Sequence, residues 1–139
     1  MTRKKLLKQL QQDTWVMLQP SPLHGIGVFA ITNIPKGCKT IFSEGVGKWK
    51  KIAIDKIDAL PAHTRQLVET YCLYDDKNYF IPDYGFKLMD LVLYLNHSAT
   101  PNIKSVNDGA YFETLRDIRA GEELLVNYNE LVDELEAYD

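Results

Sequence analysis

The sequence predicts a single, mostly β domain of short sheets with a small helical insertion, and three observations carry that expectation. Over "WVMLQPSPLHGIGVFAITNIPKGCKTIF" the β-formers Val16, Met17, Val28, Phe29, Ile31, Ile41 and Phe42 are interrupted at short intervals by Pro20, Pro22, Gly25, Gly27, Pro35 and Gly37. Over "IAIDKIDALPAHTRQLVETYCLY" the spacing changes, with Ile54, Ile57, Leu60, Leu67, Val68 and Tyr71 at helical intervals. Finally, 139 residues with 45% hydrophobic and 25% charged side chains suffice for one core and are too few for two. The expected layout is one domain over residues 1–139: a core at about 14–128, a helical insertion at about 52–74 and a short C-terminal segment at 129–139.

Taken in order, residues 3–12 read as a short amphipathic helix with Leu6, Leu7 and Leu10 on one face. The Pro- and Gly-broken stretch follows as short strands. "TNIPKGCKTI" (32–41) and "RDIRAGEELL" (116–125) share a pattern of Asn or Asp, Ile, two residues and Gly, and read as two similar hairpins. In the insertion Pro61 falls near the first turn of a second helix. "NYFIPDYG" reads as a strand ending in a turn, and 86–95 as a short apolar helix. "AYFETLRDI" and "EELLVNY" read as strands and "NELVDELEAYD" as a last short helix.

Composition narrows the class. No apolar run approaches the ~20 residues of a membrane span, and "MTRKKLLKQLQQDTW" has no apolar region of a secretory signal. An intracellular protein is expected, cytoplasmic in a bacterium, without a membrane partner. Net charge is −3, with Arg3, Lys4, Lys5 and Lys8 near one end and Glu130, Asp133, Glu134, Glu136 and Asp139 at the other. Two solvated helical ends account for this, and without a long basic face direct nucleic-acid binding is not expected. An acidic rim suits a cationic partner such as a lysine-bearing peptide. The two cysteines, Cys38 and Cys72, form no C-x-x-C and cannot supply a four-thiolate zinc site, so no metal is expected.

"LNHSATPN" (95–102) poses the functional question. An apolar lead-in, "FKLMDLVLYL", delivers Asn96 and His97 toward the interior, where polar groups need partners or a ligand. Together with "HGIGVFA" (24–30) and "AGEELLVNY" (120–128), in that order, it resembles the SET-domain family of protein-lysine methyltransferases. "HGIGVFA" is similar to the family's Gly-x-Gly motif, "NHSATPN" to its Asn-His-Ser-x-x-Pro-Asn signature, and "GEELLVNY" to its Gly-Glu-Glu-Leu-x-x-x-Tyr motif. The resemblance implies a SET-type β fold of short sheets around a threaded C-terminal segment. The implied activity is methyl transfer from S-adenosylmethionine to a lysine side-chain amine of a protein or peptide.

The resemblance also implies roles. Gly25, Ile26 and Gly27 would lie against the cofactor, the two glycines sparing it a Cβ. Asn96 would offer its amide and carbonyl to the methionine ammonium and adenine edge. His97 would be neutral and bonded across to another motif. Tyr128 would contact the cofactor and act as the catalytic residue, its hydroxyl beside the sulfonium. A phenol with pKa ~10 is a poor base at neutral pH, so orientation and electrostatics fit it better than proton abstraction. The substrate amine would be deprotonated more readily in an apolar channel near a positive charge. Tyr71, Tyr74, Tyr79 and Tyr84 read as core residues or as walls of that channel. Trp49 reads as a core cap or an exposed binding residue, and His24 and His63 as surface residues.

Several positions depart from the family pattern. Ile26 stands where many relatives have an aromatic residue, Leu93 where arginine is frequent and Asn127 where aspartate is frequent. Ala99 replaces a cysteine that elsewhere joins a zinc cluster with a cysteine-rich tail, and the tail is not in this sequence. The compact form resembles minimal SET proteins. The number of methyl groups stays open, because no motif fixes the alignment at Ser105. So does the oligomeric state, a homodimer being one arrangement available. A SET-fold interaction module with weak or no catalysis is the alternative. Residues 130–138 read either as a helix whose apolar side, with Leu131, Val132, Leu135 and Tyr138, covers the cofactor cleft, or as a solvated tail.

Overall fold

The computed structural model describes residues 1–43, 49–107 and 110–135, with side chains described to residue 132. A four-stranded sheet positions everything that follows. It is built from β1 (Val16–Pro20), β2 (Ile26–Ala30), β8 (Glu123–Val126) and β5 (Asn96–His97), in that spatial order. β1 and β2 pair antiparallel from Val16↔Ala30 to Pro20↔Ile26, and the loop between them closes through Ser21 N–H on Gly25 O at 2.8 Å. Gly25 has φ of 48°, which an L side chain rarely adopts and which fits the tight loop. β8 lies between β2, to which it is antiparallel, and β5, to which it is parallel. That insertion brings "HGIGVFA", "LNHSATPN" and "GEELLVNY" onto adjacent strands.

Two smaller two-stranded antiparallel sheets complete the fold. β3 (Trp49–Ala53) pairs with β4 (Asn78–Pro82), and β6 (Ile103–Val106) with β7 (Tyr111–Thr114). Between β3 and β4 run α2 (Ile54–Asp58) and α3 (Ala62–Tyr71), with Pro61 as the cap residue of α3. Val28, Ile34, Phe80, Ile103, Ile118 and Leu124 are at most 1% exposed and centre the main core. Ile57, Val68 and Cys72 make a satellite cluster under the helices. No helix among the described residues is long and apolar enough to cross a membrane.

The internal echo is a clasp rather than two hairpins. Ile34 and Ile118 bond to each other, Ile34 N to Ile118 O at 2.7 Å and Ile118 N to Ile34 O at 2.8 Å. Asn33 Oδ1 accepts from Ala120 N at 3.0 Å, and Asp117 Oδ1 accepts from Lys36 N at 2.8 Å. Each copy thus satisfies the other's turn. Over residues 38–43 no return strand follows Gly37. Instead Cys38 and Thr114 exchange bonds, and residues 38–43 run irregularly with Ile41 in the core.

Residues 86–95 are not a helix: only Leu91–Tyr94 coil, as one 3₁₀ turn. Asp90 breaks the run, adopting extended angles and accepting the Val92 N–H at 3.2 Å as a cap does. Trp49–Ala53 is a strand, although the apolar spacing beyond it reads as helical from residue 52. Tyr128 is not at a strand end but opens α4 (Tyr128–Leu135). Asn127 sets that start by accepting from Asn129 N–H at 3.0 Å. The N-terminal helix α1 (Arg3–Gln12) forms, capped by Thr2, yet its leucine face covers nothing: Leu6, Leu7 and Leu10 are all exposed.

Candidate active site

Asn96 is 5% exposed, and both hydrogens of its amide are committed. Nδ2 donates to His24 O at 3.0 Å and to a carboxylate oxygen of Glu123 at 2.7 Å. Because both neighbours are acceptors, the orientation of this amide is fixed. Of the two groups expected to meet the cofactor, only the Oδ1 carbonyl remains without a protein donor among the described residues. The other Glu123 oxygen accepts from Ser21 Oγ at 2.8 Å, and that hydroxyl in turn accepts from Leu23 N–H at 3.0 Å.

Gly27 belongs to this arrangement in a way the sequence did not suggest. A Cβ there would lie 2.2 Å from Glu123 Oε2 and 3.1 Å from Asn96 Nδ2. The room spared by the missing side chain is therefore taken by the Glu123 carboxylate. Gly27→Ala must push that carboxylate off Asn96, and the expected cost is about 1–3 kcal/mol of stability in urea unfolding. A loss under ~0.5 kcal/mol would mean that the carboxylate swings aside freely.

His97 is exposed rather than buried, since the β5 alternation turns Asn96 inward and His97 outward. It still bonds across motifs: Tyr128 N–H donates to His97 Nδ1 at 3.0 Å, and the two rings lie 5.2 Å apart. Accepting at Nδ1 requires that nitrogen to be unprotonated. Tyr128 is anchored twice, because its hydroxyl also donates a short bond to Leu95 O. Burial, and after it the Glu123 carboxylate, raise the phenol's pKa above its ordinary 10.0. It is a protonated donor at neutral pH.

Tyr128 borders two spaces. An open cleft of about 550 Å³ is lined by His24, Gly25, Ile26, Leu95, Asn96 and Tyr128 from the motifs, and by Glu69–Tyr74, Leu93 and Tyr94. Its size is within the ~300–1,000 Å³ usual for small-molecule sites. A narrow apolar cavity of about 40 Å³ lies behind, lined by Trp49, Leu73, Phe112, Val126 and Leu131 among others. Tyr71, Leu73, Leu93, Leu95 and Tyr128 border both. A separate groove of about 580 Å³ runs past Trp15, Phe42 and Asp90, and no motif residue lines it.

Tyr71 therefore fits the channel-wall reading, with its ring edge-on to Tyr94 at 5.6 Å. Tyr74 borders the cleft at 65% exposure, while Tyr79 packs on the satellite cluster and Tyr84 is exposed in a turn. Trp49 is half-buried against the core, and His24 and His63 are exposed. Cys72 also lines the cleft, but burial pushes its thiol up to about 12, which makes it a poor nucleophile. Among the described residues no three His, Cys, Asp or Glu side chains converge as a metal site would need. Leu131 and Val132 of α4 turn toward the narrow cavity and the core. Tyr138, read as a cover for the cofactor, lies outside the described residues.

Glu123 is the functional candidate that sequence reading passed over. "GEEL" is ordinary turn chemistry taken alone, and its signal was positional: in a strand that buries Leu124 and Val126, one of two adjacent glutamates is carried onto the sheet.

The chain is a mostly β domain with a ligand-sized cleft where three sequence motifs come together and a narrow apolar cavity that shares part of its wall. The family model of the SET domain matches residues 25–129, and the chain belongs to the SET-domain family. Among solved structures, a candidate histone methyltransferase of Plasmodium falciparum is similar at 19% identity, over 83% of this chain and 93% of that one, with a TM-score of 0.47. No curated protein sequence matches the chain.

Proposed function

We propose that this protein is an S-adenosylmethionine-dependent protein-lysine N-methyltransferase. The observation that carries the proposal is that Tyr128 stands in the walls of both the open cleft and the narrow apolar cavity. Family membership supports the reaction class, and the cleft's composition supports the cofactor: a buried Asn96 with an unclaimed carbonyl suits an ammonium donor. When bound, the cofactor supplies a methyl group activated on a sulfonium.

The chain's own residues do the rest. Asn96 Oδ1, fixed by the two bonds of its amide, would accept from the ammonium. Leu93–Asn96 and His24–Ile26 both line the cleft and would orient the molecule along it. Leu73, Phe112, Val126 and Leu131 strip water from an amine entering the cavity, which favours its neutral, nucleophilic form. Tyr128, held by Leu95 O and His97 Nδ1, stands where the two reactants would meet and offers a fixed dipole rather than a base. The substrate is a lysine-containing protein or peptide, and the exposed Glu69 and Tyr74 at the cleft's edge suit a cationic chain.

Calorimetric titration tests the cofactor half. The expected result is saturable one-to-one binding of S-adenosylmethionine, weakened by ~1–3 kcal/mol in a folded Asn96→Ala variant. Unchanged affinity in that variant would remove Asn96 from the site.

A further inference from the structure

Glu123 carries a charge that the fold does not neutralise. Its oxygens are held by Ser21 Oγ and Asn96 Nδ2, and no cationic side chain pairs with it among the described residues. It is half-buried on β8, against Gly27 and directly behind Asn96, a residue of the cleft wall. Placing a carboxylate there requires a glycine at 27 and two dedicated hydrogen bonds. A neutral side chain could hold an amide equally well, so the charge calls for its own explanation. After burial, the Glu123 carboxylate also raises the pKa of the Tyr128 phenol, a residue of the cleft wall.

We infer that Glu123 is a positioning and specificity residue that sets the Asn96 amide and makes the cleft favour a cationic cofactor over its neutral demethylated product. The inference rests on the proposed function. S-Adenosylmethionine and S-adenosylhomocysteine share almost the same shape and differ by one methyl and one positive charge on sulfur. Hydrogen bonds from the walls cannot tell them apart well, whereas a fixed negative charge attracts only one of the sulfurs. Such a preference would help product leave after transfer.

The test is titration of both ligands into wild type, Glu123→Gln and Glu123→Asp. Glutamine keeps length and hydrogen-bonding atoms: its carbonyl can accept from Asn96, and its amide can donate to Ser21 Oγ. Glu123→Gln is expected to weaken S-adenosylmethionine about fivefold to tenfold more than S-adenosylhomocysteine, the scale of one charge at medium range in a partly wet site. Glu123→Asp keeps the charge, so the ratio of the two affinities should stay within about twofold of wild type although both fall. Equal weakening of both ligands by Glu123→Gln would reduce Glu123 to a support for Asn96 and overturn the inference while leaving the proposed function standing. Wild type binding neither ligand would overturn both. Should Glu123→Gln fail to fold, as judged by circular dichroism, the wild-type ratio decides: tighter binding of S-adenosylmethionine than of S-adenosylhomocysteine supports the inference, and equal or weaker binding contradicts it.

Discussion

Tyr128→Phe is expected to leave a folded protein that still binds cofactor, with turnover lowered roughly ten- to a thousand-fold. The ring is retained, and with it the walls of both cleft and cavity. The Tyr128 N–H bond to His97 belongs to the backbone and survives. What goes is the hydroxyl of a residue that borders both spaces, together with its bond to Leu95 O. Losing that bond should cost stability only ~0.5–1.5 kcal/mol. The phenol's pKa lies above 10.0, so the group is a neutral donor throughout the neutral range. Lowering the pH leaves that form unchanged, and only rising pH would ionise it. Steady-state kinetics on a methylated peptide, with calorimetry alongside, separates the outcomes. Turnover within about twofold of wild type would move catalysis away from Tyr128.

Asn102→Ala should have the largest effect on stability, about 2–4 kcal/mol in urea unfolding, because the side chain completes the backbone pairing of β8. Asn102 is 5% exposed; its Nδ2 donates to Glu123 O at 2.9 Å and its Oδ1 accepts from Leu125 N–H at 2.8 Å. Its own N–H donates to Leu125 O at 3.2 Å, and its carbonyl accepts from Leu115 N–H at 2.9 Å. Alanine keeps the last two bonds and strands a donor and an acceptor inside the sheet. Asn102→Asp should not rescue the protein, since it restores the acceptor but loses the donor and adds a charge. A loss under ~0.5 kcal/mol for Asn102→Ala would show that water or a small shift satisfies β8. The strand would then be held by its pairing with β2 and β5 and by burial of Leu124 and Val126.

What sequence could reveal here depended on how local the physics was. "LNHSATPN" was legible because polar residues behind an apolar run need partners, and both asparagines prove buried and bonded. The helical spacing of the insertion and the strand at 78–82 were legible for the same reason, as each period expresses burial nearby. The spurious helix at 86–95 shows the limit: a run of apolar residues has no period, and Asp90 chose the cap over the helix. His97 looked buried by association with Asn96, yet a two-residue strand turns neighbours to opposite faces. Glu123 was least visible, since its partners Ser21 and Asn96 are 102 and 27 residues away. Nothing local distinguishes it from Glu122, which instead pairs at the surface with Arg116.

The central claim is a transfer to lysine, and the most direct measurement follows the methyl group. Wild-type protein is incubated with S-adenosylmethionine carrying a labelled methyl and a lysate or peptide panel, and the labelled residues are located by mass spectrometry. The predicted result is label on lysine side-chain nitrogen, abolished or strongly reduced by Tyr128→Phe. Label on another residue type, or no label from a protein that binds the cofactor and meets the whole panel, would contradict it.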